Sequence, residues 1–511
     1  MTEIKFSTMA LISLLLFESC SGGGGGSFSS ISISSIQIAP APLIVQLGKS
    51  TQITVTAKDG TGHFISNPDL TWTVIGGGTI TAQGLYTPPS MIPPQNSVTI
   101  QVASSINSAI YATAPVLILT GDNISFPSPV DITGTIQPLG NAPNIQMAIF
   151  NQRVYLTWAT TWQEGGTHIW YAKLDLDGNV LTPPHDILSD VIPSGGTQNF
   201  IFENPVIALD NRIDSNGDPG VYIAWDDNTG SDFQVGIVKG PSSNNCLLNV
   251  YPCFSAFSIL GPPTFATSLY VEPNPTVFQT YPSISFNPQG GIDFAWVQSY
   301  SVLLSGLYIN FKELKLDGTA QSLSSPISQY YVSNYQKNPT IRTDNSGNVS
   351  VSWLDFGTSN FLLNYSRGFA GYFSAAIQVE PDALAYHDTS SMVLDDSGLP
   401  YFVWSNSSSS NTGINYSSST DFLNFAGYAP ISSTGLNPSI EIDLLKYLYV
   451  KWEDENSGTI YFDKFQSGSP QVPVSFVGLN SSMSIDSVGR VYLLFSRFDG
   501  SSYSTYFLRG E

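Results

Sequence analysis

Short runs of alternating apolar and polar residues, separated by Gly, Pro and Asp turns, fill the chain from about residue 36 to its end. Side chains that alternate in this way point to opposite faces of a β-strand, so the pattern predicts strands throughout. Clear examples are residues 348–353, 399–404, 448–452 and 490–495. The sequence therefore predicts an all-β protein.

A Trp or Phe closes the same short motif seven times, and the residue nine positions before it is called here the slot residue. In four copies the slot holds Asp and opens a turn: Asp344 before Trp353, Asp395 before Trp404, Asp443 before Trp452 and Asp486 before Phe495. In the other three copies Asn287 precedes Trp296, Ile149 precedes Trp158, and Asp210 lies fifteen residues before Trp225 across an insertion. Repeats of roughly 45–70 residues with four predicted strands each are typical of a β-propeller, here with seven blades.

The two ends of this array complement each other. The last unit stops after its third strand, near residues 503–508, and a lone strand at residues 129–136 precedes the first unit. If these segments pair, the seventh sheet gains its fourth strand and two exposed sheet edges disappear. We therefore expect a ring that is closed by the early strand.

The recurring Asp and aromatic residues have a structural explanation. An Asp at the start of a tight turn accepts hydrogen bonds from backbone N–H groups that follow it, and Gly supplies the positive φ of the turn. A Trp or Phe at one place in every blade fills the space between adjacent sheets. We expect both to stabilise the fold rather than to form a binding site.

The first 35 residues resemble a targeting segment with a tether. Lys5, an apolar run over residues 9–17 and the pair Ser19-Cys20 resemble a bacterial lipoprotein signal, which implies a signal peptide at residues 1–20 and lipidation at Cys20. Residues 21–35 are rich in Gly and Ser, as flexible tethers are. The resemblance implies a lipid anchor in the cell envelope, at the outer membrane or the cell surface. An ordinary signal peptide with a chance Cys is the alternative.

Residues 36–120 form a first folded unit of short alternating strands. The segment 45–48, Trp72 and the segment 84–88 resemble bacterial immunoglobulin-like domains of surface adhesins. The resemblance implies a β-sandwich with Trp72 in its core, which acts as a spacer or an adhesive module. The seven-bladed propeller then occupies residues 122–511.

Composition limits the possible partners. The chain has 39 acidic and 18 basic residues and a net charge of −21, so its surface repels phosphate backbones and nucleic acid is not expected to bind. Four His leave few ligands for a transition metal. Cys246 and Cys253 lie seven residues apart in a polar insertion, and in an exported protein one disulfide between them is the default interpretation.

Residues that carry chemistry are few. The repeated motif loosely resembles the Asp-box repeats of sialidase-like propellers, whose members hold the substrate carboxylate with three arginines. Few of the seven arginines of this chain fall at corresponding blade positions, so sialidase activity is not expected. Other glycosidases need two carboxylates, and five acids follow blade aromatics on one face of the ring: Asp226, Asp227, Asp355, Glu453 and Asp454.

The insertion before Trp225 carries oxygen side chains at alternate positions, as in the first half of a calcium loop. A calcium site at Asp214, Asn216 and Asp218 is one interpretation. Pro219 stands where Gly is expected and no acid occupies the twelfth position, so a solvated hairpin is the simpler one. No other cofactor is expected.

The anchor, the adhesin-like first unit and the loop-bearing propeller favour a recognition or adhesion protein, not an enzyme, that binds a glycan or a surface protein. The insertion at about residues 240–280 is the expected contact region. One alternative is a glycan hydrolase or lyase on the loop-rich face, with Asp226, Asp355 and Glu453 converging near the central channel. Another is an assembly scaffold of the envelope.

Overall fold

The computed structural model describes most of the chain beyond residue 31. The described residues are 32–93, 96–134, 136, 145–161, 167–191, 201–214, 217–228, 234–240, 254–256, 279–299, 307–316, 321–322, 325–328, 335–356, 361–379, 387–408, 411–427, 429–466, 470, 472–498 and 500–511. The lipidation at Cys20, the disulfide between Cys246 and Cys253 and most of the 240–280 insertion lie outside these ranges and stay predictions. Within them, no helix has the length and apolar character needed to cross a bilayer.

The chain divides into two compact units. Unit 1 comprises residues up to 43, 51–86 and 98–116, and unit 2 comprises residues 44–50, 87–97 and 117–511.

The first nine strands form three sheets, in the orders β1-β4, β2-β9-β8-β5 and β3-β7-β6. Their bounds are β1 (Ser35–Ala39), β2 (Leu43–Gln46), β3 (Thr51–Gln52), β4 (Thr54–Lys58), β5 (Leu70–Ile75), β6 (Thr79–Ile80), β7 (Leu85–Thr87), β8 (Val98–Ser104) and β9 (Tyr111–Leu119). Tyr86, Ile100 and Val102 are fully buried. Trp72, expected in the core, is only partly buried and packs on Gly84, where a Cβ would lie 2.9 Å from its ring.

Seven four-stranded sheets, one of them with a fifth short strand, follow as the blades of a propeller. The first strands are β11 (Gln146–Phe150), β15 (Ile201–Ile213), β19 (Gln279–Asn287), β23 (Tyr335–Thr343), β28 (His387–Leu394), β32 (Leu436–Ile442) and β36 (Leu479–Ile485). The second strands are β12 (Arg153–Thr161), β16 (Pro219–Asn228), β20 (Gly291–Ser299), β24 (Val349–Phe356), β29 (Pro400–Ser408), β33 (Leu448–Asp454) and β37 (Val491–Phe498).

The outer half of each blade is built in the same way. The third strands are β13 (Thr167–Asp175), β17 (Gln234–Gly240), β21 (Leu307–Lys315), β25 (Phe361–Phe369), β30 (Asn411–Ser418), β34 (Thr459–Phe465) and β38 (Tyr503–Gly510). The fourth strands are β14 (Val180–Asp186), β18 (Ser255–Ala256), β22 (Ser325–Pro326), β26 (Tyr372–Phe373) with the extra β27 (Ile377–Gln378), β31 (Ala429–Ser432), β35 (Val474–Val477) and, in the last blade, β10 (Val130–Asp131). One short helix, α1 (Leu188–Val191), follows β14. Blades 1 to 7 are numbered here in the order of their first strands.

The slot Asp shapes the turn between the first two strands. In blade 4 the Oδ1 atom of Asp344 accepts hydrogen bonds from the backbone N–H groups of Ser346 and Asn348, both at 2.9 Å. Gly347 supplies the positive φ of 82°. The Oδ2 atom accepts a 2.7 Å bond from Arg367. The same two backbone bonds are made by Asp395, Asp443 and Asp486, which confirms the predicted structural role.

The blade aromatics are buried between neighbouring sheets, as predicted. Trp158, Trp225, Trp296 and Trp404 have no exposed surface, and Trp353, Trp452 and Phe495 are at most 2% exposed. Seven hydrophobic clusters each combine residues of two adjacent blades. Because every sheet buries its faces against its neighbours, the blades stabilise one another around the ring.

The early strand closes the ring, as the sequence predicts. Val130 and Asp131 of β10 pair with Phe507 and Tyr506 of β38, in antiparallel register. The backbone N–H of Ile132 extends the pairing with a 2.9 Å bond to the carbonyl of Thr505. The Ile132 side chain then enters a cluster that contains residues of blade 7 and of blade 1.

Replacement of Ile132 by Ala tests the closure. Ile132 is 2% exposed, so loss of its side chain leaves a cavity between blades 7 and 1 and lowers the free energy of unfolding by about 2–5 kcal/mol. Urea unfolding followed by Trp fluorescence measures the change. Val130→Ala on the same strand is the control, because Val130 is 48% exposed. Equal stability of the two variants would contradict a closing role for this segment.

Candidate functional site

A β-bulge interrupts most first strands at the same level. In blades 2, 3, 4, 6 and 7 the strand pairing shifts register there, and the residue at the shift, called here the bulge residue, has a positive φ. These residues are Asn204 (φ 49°), Tyr281 (φ 52°), Asn338 (φ 52°), Asn437 (φ 50°) and Asn480 (φ 52°). Asn tolerates the left-handed region better than other non-Gly residues, which explains four of the five.

Glu453, one of the three acids that the enzyme alternative required, holds the bulge of the next blade. Its Oε1 atom accepts bonds from the backbone N–H of Ser481 at 2.7 Å and from the Ser481 hydroxyl at 2.6 Å. Its Oε2 atom accepts a 3.1 Å bond from the N–H of Asn480. The carboxylate therefore ties blade 6 to blade 7.

Asp226 has the same role between blades 2 and 3. Its Oδ2 atom accepts bonds from the side chains of Asn204, at 2.7 Å, and Thr280, at 2.8 Å. The backbone N–H of Tyr281 also donates to this carboxyl group. Burial raises the pKa of Asp226 to about 7, against these hydrogen bonds, which lower it.

The remaining predicted acids lie elsewhere. Asp355 accepts a 3.1 Å bond from Gln336 and lines a separate cavity of about 450 Å³. Asp454 accepts a bond from the N–H of Asn456, and Asp227 is buried. Of the five acids, only Glu453 lines the central cavity described next. They therefore do not form the converging carboxylates that the enzyme alternative required.

A polar cavity of about 480 Å³ runs between the seven first strands, each of which contributes lining residues. Ser, Thr, Asn and Pro side chains form most of its wall, and the charged lining residues are Arg342, Glu441, Lys451 and Glu453. The cavity is called here the central channel. It is the concave, polar surface that the ring geometry produces at its axis.

Two of these four charged residues, Lys451 and Glu453, form an ion pair. Lys451 Nζ lies 3.3 Å from Glu453 Oε1 and donates a 2.8 Å bond to the carbonyl of Ser481. Burial lowers the pKa of Lys451. Burial alone would raise the pKa of Glu453, but the Lys451 charge and the Ser481 bonds lower it, so the carboxylate stays ionised. This pair stabilises the wall of the channel.

Arg342 and Glu441 are the other two charges, and they form no ion pair within 4.0 Å. Burial lowers the pKa of Arg342, and it raises the pKa of Glu441 to about 7 although the Arg342 charge acts to lower it. Among the described residues, the Arg342 guanidinium donates one hydrogen bond, to the carbonyl of Ile341 at 2.9 Å. Glu441 accepts no hydrogen bond from the described residues. The two opposite charges thus attract each other across the channel. Each side chain also keeps polar atoms that have no hydrogen-bond partner within the described chain.

The sequence contained a signal for this pair. Arg342 and Glu441 each lie two residues before a slot Asp, in blades 4 and 6. Equivalent positions in a repeat lie at the same level of the ring, so the two side chains reach the same depth of the channel. Sequence analysis missed them because it considered the strand ends after the aromatics instead.

Most other arginines are neutralised outside the channel. Arg153, Arg212, Arg367, Arg490 and Arg509 each pair with a carboxylate. Arg497 stacks over the ring of Tyr506 at 4.6 Å. Arg342 is therefore the arginine that remains for a ligand in the channel.

The predicted calcium ligands contact protein groups. The Oδ1 atom of Asp218 accepts bonds from Arg153 and, at 2.8 Å, from the Tyr155 hydroxyl, and Oδ2 accepts a 2.8 Å bond from Lys173. Asp214 accepts a 2.9 Å bond from the N–H of Asp218. Asn216 lies outside the described residues, among which no cluster of three or more His, Cys, Asp or Glu side chains could hold a metal ion. The calcium site stays a prediction, whereas Asp218 supplies blade 1 with the carboxylate that its Ile149 slot lacks.

Two His residues of blade 1 pair with carboxylates. His168 Nδ1 lies 2.7 Å from Asp186 Oδ2, and His185 Nε2 lies 2.8 Å from Asp190 Oδ2. Asp190 also accepts a 2.7 Å bond from the N–H of Phe254, and this bond links the outer strands of blades 1 and 2. Neither His lines the central channel.

No protein-family model and no curated protein matches this sequence. Among solved structures, the polysaccharide lyase Uly1 is 11% identical with a TM-score of 0.46, over 73% of this chain and 90% of its own. An ulvan lyase of polysaccharide lyase family PL25 is 8% identical with a TM-score of 0.46, over 75% of this chain and 93% of its own. A mutant of the α-L-arabinofuranosidase Arb93A from Fusarium graminearum is 9% identical with a TM-score of 0.40, over 75% and 97%.

The names of these structures contradict the expected function, which was recognition or adhesion. The three structures are glycan-acting enzymes. The expectation of a recognition or adhesion protein is contradicted by this finding.

Replacement of Asp218 by Asn separates the structural from the calcium interpretation. The change leaves Lys173, 6% exposed, without its carboxylate, and we expect a loss of about 3–5 kcal/mol of unfolding free energy. We also expect calcium to leave the melting temperature of the wild type unchanged, because Asp218 is already bound by cationic side chains. A calcium-dependent rise that Asp218→Asn abolishes would contradict the structural role.

The pKa of Asp226 predicts a pH dependence of stability. Between its ordinary value of 3.8 and about 7, the unfolded chain releases the proton that the folded protein keeps, so this contribution to stability is lost as pH rises through that window. Asp226→Asn should flatten the fall in melting temperature between pH 4 and pH 7. Asp396→Asn, at a side chain 55% exposed, should leave the fall unchanged. Parallel curves for all three proteins would refute the raised pKa.

Proposed function

We propose that unit 2 is a glycan-cleaving enzyme that acts on acidic sugar units in the central channel. The observation that carries the proposal is the arrangement of Arg342 and Glu441, two partly buried opposite charges that line the channel without a direct ion pair. Ionisable groups in a cleft whose pKa values are displaced by desolvation and by a specific charge are candidates for a functional site.

Arg342 suits an anionic ligand. A guanidinium has five N–H donors in a planar fork, and here one bond goes to the carbonyl of Ile341. The donors that remain can bind the carboxylate of a uronate in a bidentate manner. Because the protein as a whole carries a charge of −21, such a local positive group is needed to hold an acidic sugar.

Glu441 suits proton transfer. Its pKa of about 7 means that both the acid and the carboxylate are populated near neutral pH. A general acid or base works best when its pKa lies near the working pH. Glu441 accepts no bond from the described residues, so its oxygens are available to a substrate.

The hydrogen bonds of Glu453 favour elimination over hydrolysis. Glu441 pairs with Tyr449, and Glu453 lies four residues farther along β33, so their backbones are roughly 13 Å apart along the strand. Hydrolysis needs two carboxyl groups roughly 5–10 Å apart, both free to reach the sugar. Glu453 is instead engaged by Ser481, Asn480 and Lys451.

Elimination from a uronate needs one base and one cation. Glu441 as carboxylate removes the proton at C5, the electron pair forms the C4–C5 double bond, and the C4–O bond breaks. The leaving oxygen takes a proton from water. Arg342 stabilises the negative charge that develops on the uronate carboxylate before the C4–O bond breaks.

Replacement of Glu441 by Gln and of Arg342 by Met tests the reaction. We expect each to lower kcat/KM on an acidic polysaccharide by about 100-fold or more, because each removes a group that acts on the transition state. The unsaturated product is measured by its ultraviolet absorbance. Wild-type activity should rise with pH through about 7, where Glu441 ionises.

The matched control is Glu455→Gln, at an exposed acid of the same blade, which should keep wild-type activity. A Glu441→Gln variant with wild-type rate would refute the assignment. Reducing-end release without ultraviolet absorbance would show hydrolysis instead of elimination.

A further inference from the structure

The five bulge residues with positive φ occupy the same position in five of the first strands, and one of them breaks the pattern. Asn437 and Asn480 line the channel, and Asn204 and Asn338 occupy the same position in blades 2 and 4. Blade 3 has Tyr281 there, with φ 52°. A bulky residue in the left-handed region costs free energy that Asn largely avoids. Fold stability alone would therefore favour Asn at residue 281.

The Tyr281 ring is not used in the core. It is 36% exposed, and within the described chain its hydroxyl has no hydrogen-bond partner. Its neighbour Pro282 lines the channel. Burial raises the pKa of the phenol, and the nearby Tyr335 and Asp226 add to the rise, so the ring stays neutral. An uncharged aromatic surface thus lies next to a residue of the channel wall.

The backbone of Tyr281 is held from two sides. Its N–H donates to the buried carboxyl group of Asp226 in blade 2, and the hydroxyl of the preceding Thr280 donates to the same group at 2.8 Å. The residue that follows Tyr281 is Pro282, whose ring restricts the backbone there. The ring is therefore presented by a rigid support, which lowers the entropy lost when a ligand binds.

From these observations we infer that Tyr281 is a sugar-binding platform at the entrance of the channel, on which a pyranose ring of the polysaccharide stacks. The inference rests on the proposed function and names a subsite for it. In blade 4 the bulge residue Asn338 precedes Arg342 by four residues, roughly 13 Å of strand. Tyr281 consequently contacts a sugar unit other than the one that is cleaved, and it sets binding rather than the chemical step.

Three variants test the platform. Tyr281→Asn installs the residue of the other blades, so we expect a melting temperature equal to or above that of the wild type. It should nevertheless raise KM and Kd roughly three- to tenfold, the effect of one lost aromatic contact, with kcat within about twofold. Tyr281→Phe keeps the ring and should bind like the wild type. Tyr372→Asn, at a ring 85% exposed on β26, is the matched control without effect.

Binding is measured in a Glu441→Gln background by titration calorimetry with hexasaccharides of galacturonate, hyaluronan and alginate. Tyr281→Asn binding as tightly as Tyr281 overturns the inference, as does Tyr281→Phe binding as weakly as Tyr281→Asn. A protein that binds none of these probes overturns it too. If binding depends on Tyr281 but the wild type cleaves none of the probes, the proposed reaction is refuted and the subsite is kept. If the wild type cleaves a probe but neither binding nor cleavage depends on Tyr281, the subsite is refuted and the proposed reaction is kept.

Discussion

The structure of unit 2 depends on the burial of one aromatic side chain per blade between neighbouring sheets. Each of the seven hydrophobic clusters takes residues from two adjacent blades, including the cluster that joins blade 7 to blade 1. Neighbouring blades therefore share their cores, and the pairing of β10 with β38 leaves no open end in the ring. This constraint fixes the seven first strands around an axis, and the channel follows from it.

The slot Asp shows how charge is managed at the turns of the ring. Its carboxylate is offset by backbone N–H groups and by a cation such as Arg367 or Lys446. Blade 3 has Asn287 in the slot, whose amide donates to Asp293 and Glu313. A third carboxylate there would repel this pair, in which burial already raises the pKa of Asp293 to about 8. The departure from Asp is thus explained by its neighbours.

The repeat spacing was sufficient to predict the blades, the turns and the closing strand, because these depend on local hydrogen bonding and on edge pairing. The site was not predictable in the same way. Glu453 and Asp226 looked like free acids at strand ends, but the backbone bulges that they bind become visible only when adjacent blades are placed side by side. Arg342 and Glu441 lie ninety-nine residues apart, and only the ring brings them to one level. The motif around Trp72 likewise could not show that this side chain is only partly buried.

The four charged residues of the channel differ in role because they differ in their hydrogen-bond partners. Lys451 and Glu453 have partners in each other and in Ser481, so their charges stabilise the wall, and these contacts keep the Glu453 carboxylate ionised because they lower its pKa. Arg342 and Glu441 are partly buried, and within the described chain their side chains make only the bond from Arg342 to the carbonyl of Ile341, so they keep polar atoms that a ligand could bind. The rigid ring makes this possible, since the energy of seven packed interfaces holds two unsatisfied charges in place. The channel that we propose for an anionic ligand is therefore held in shape by the packing that closes the ring.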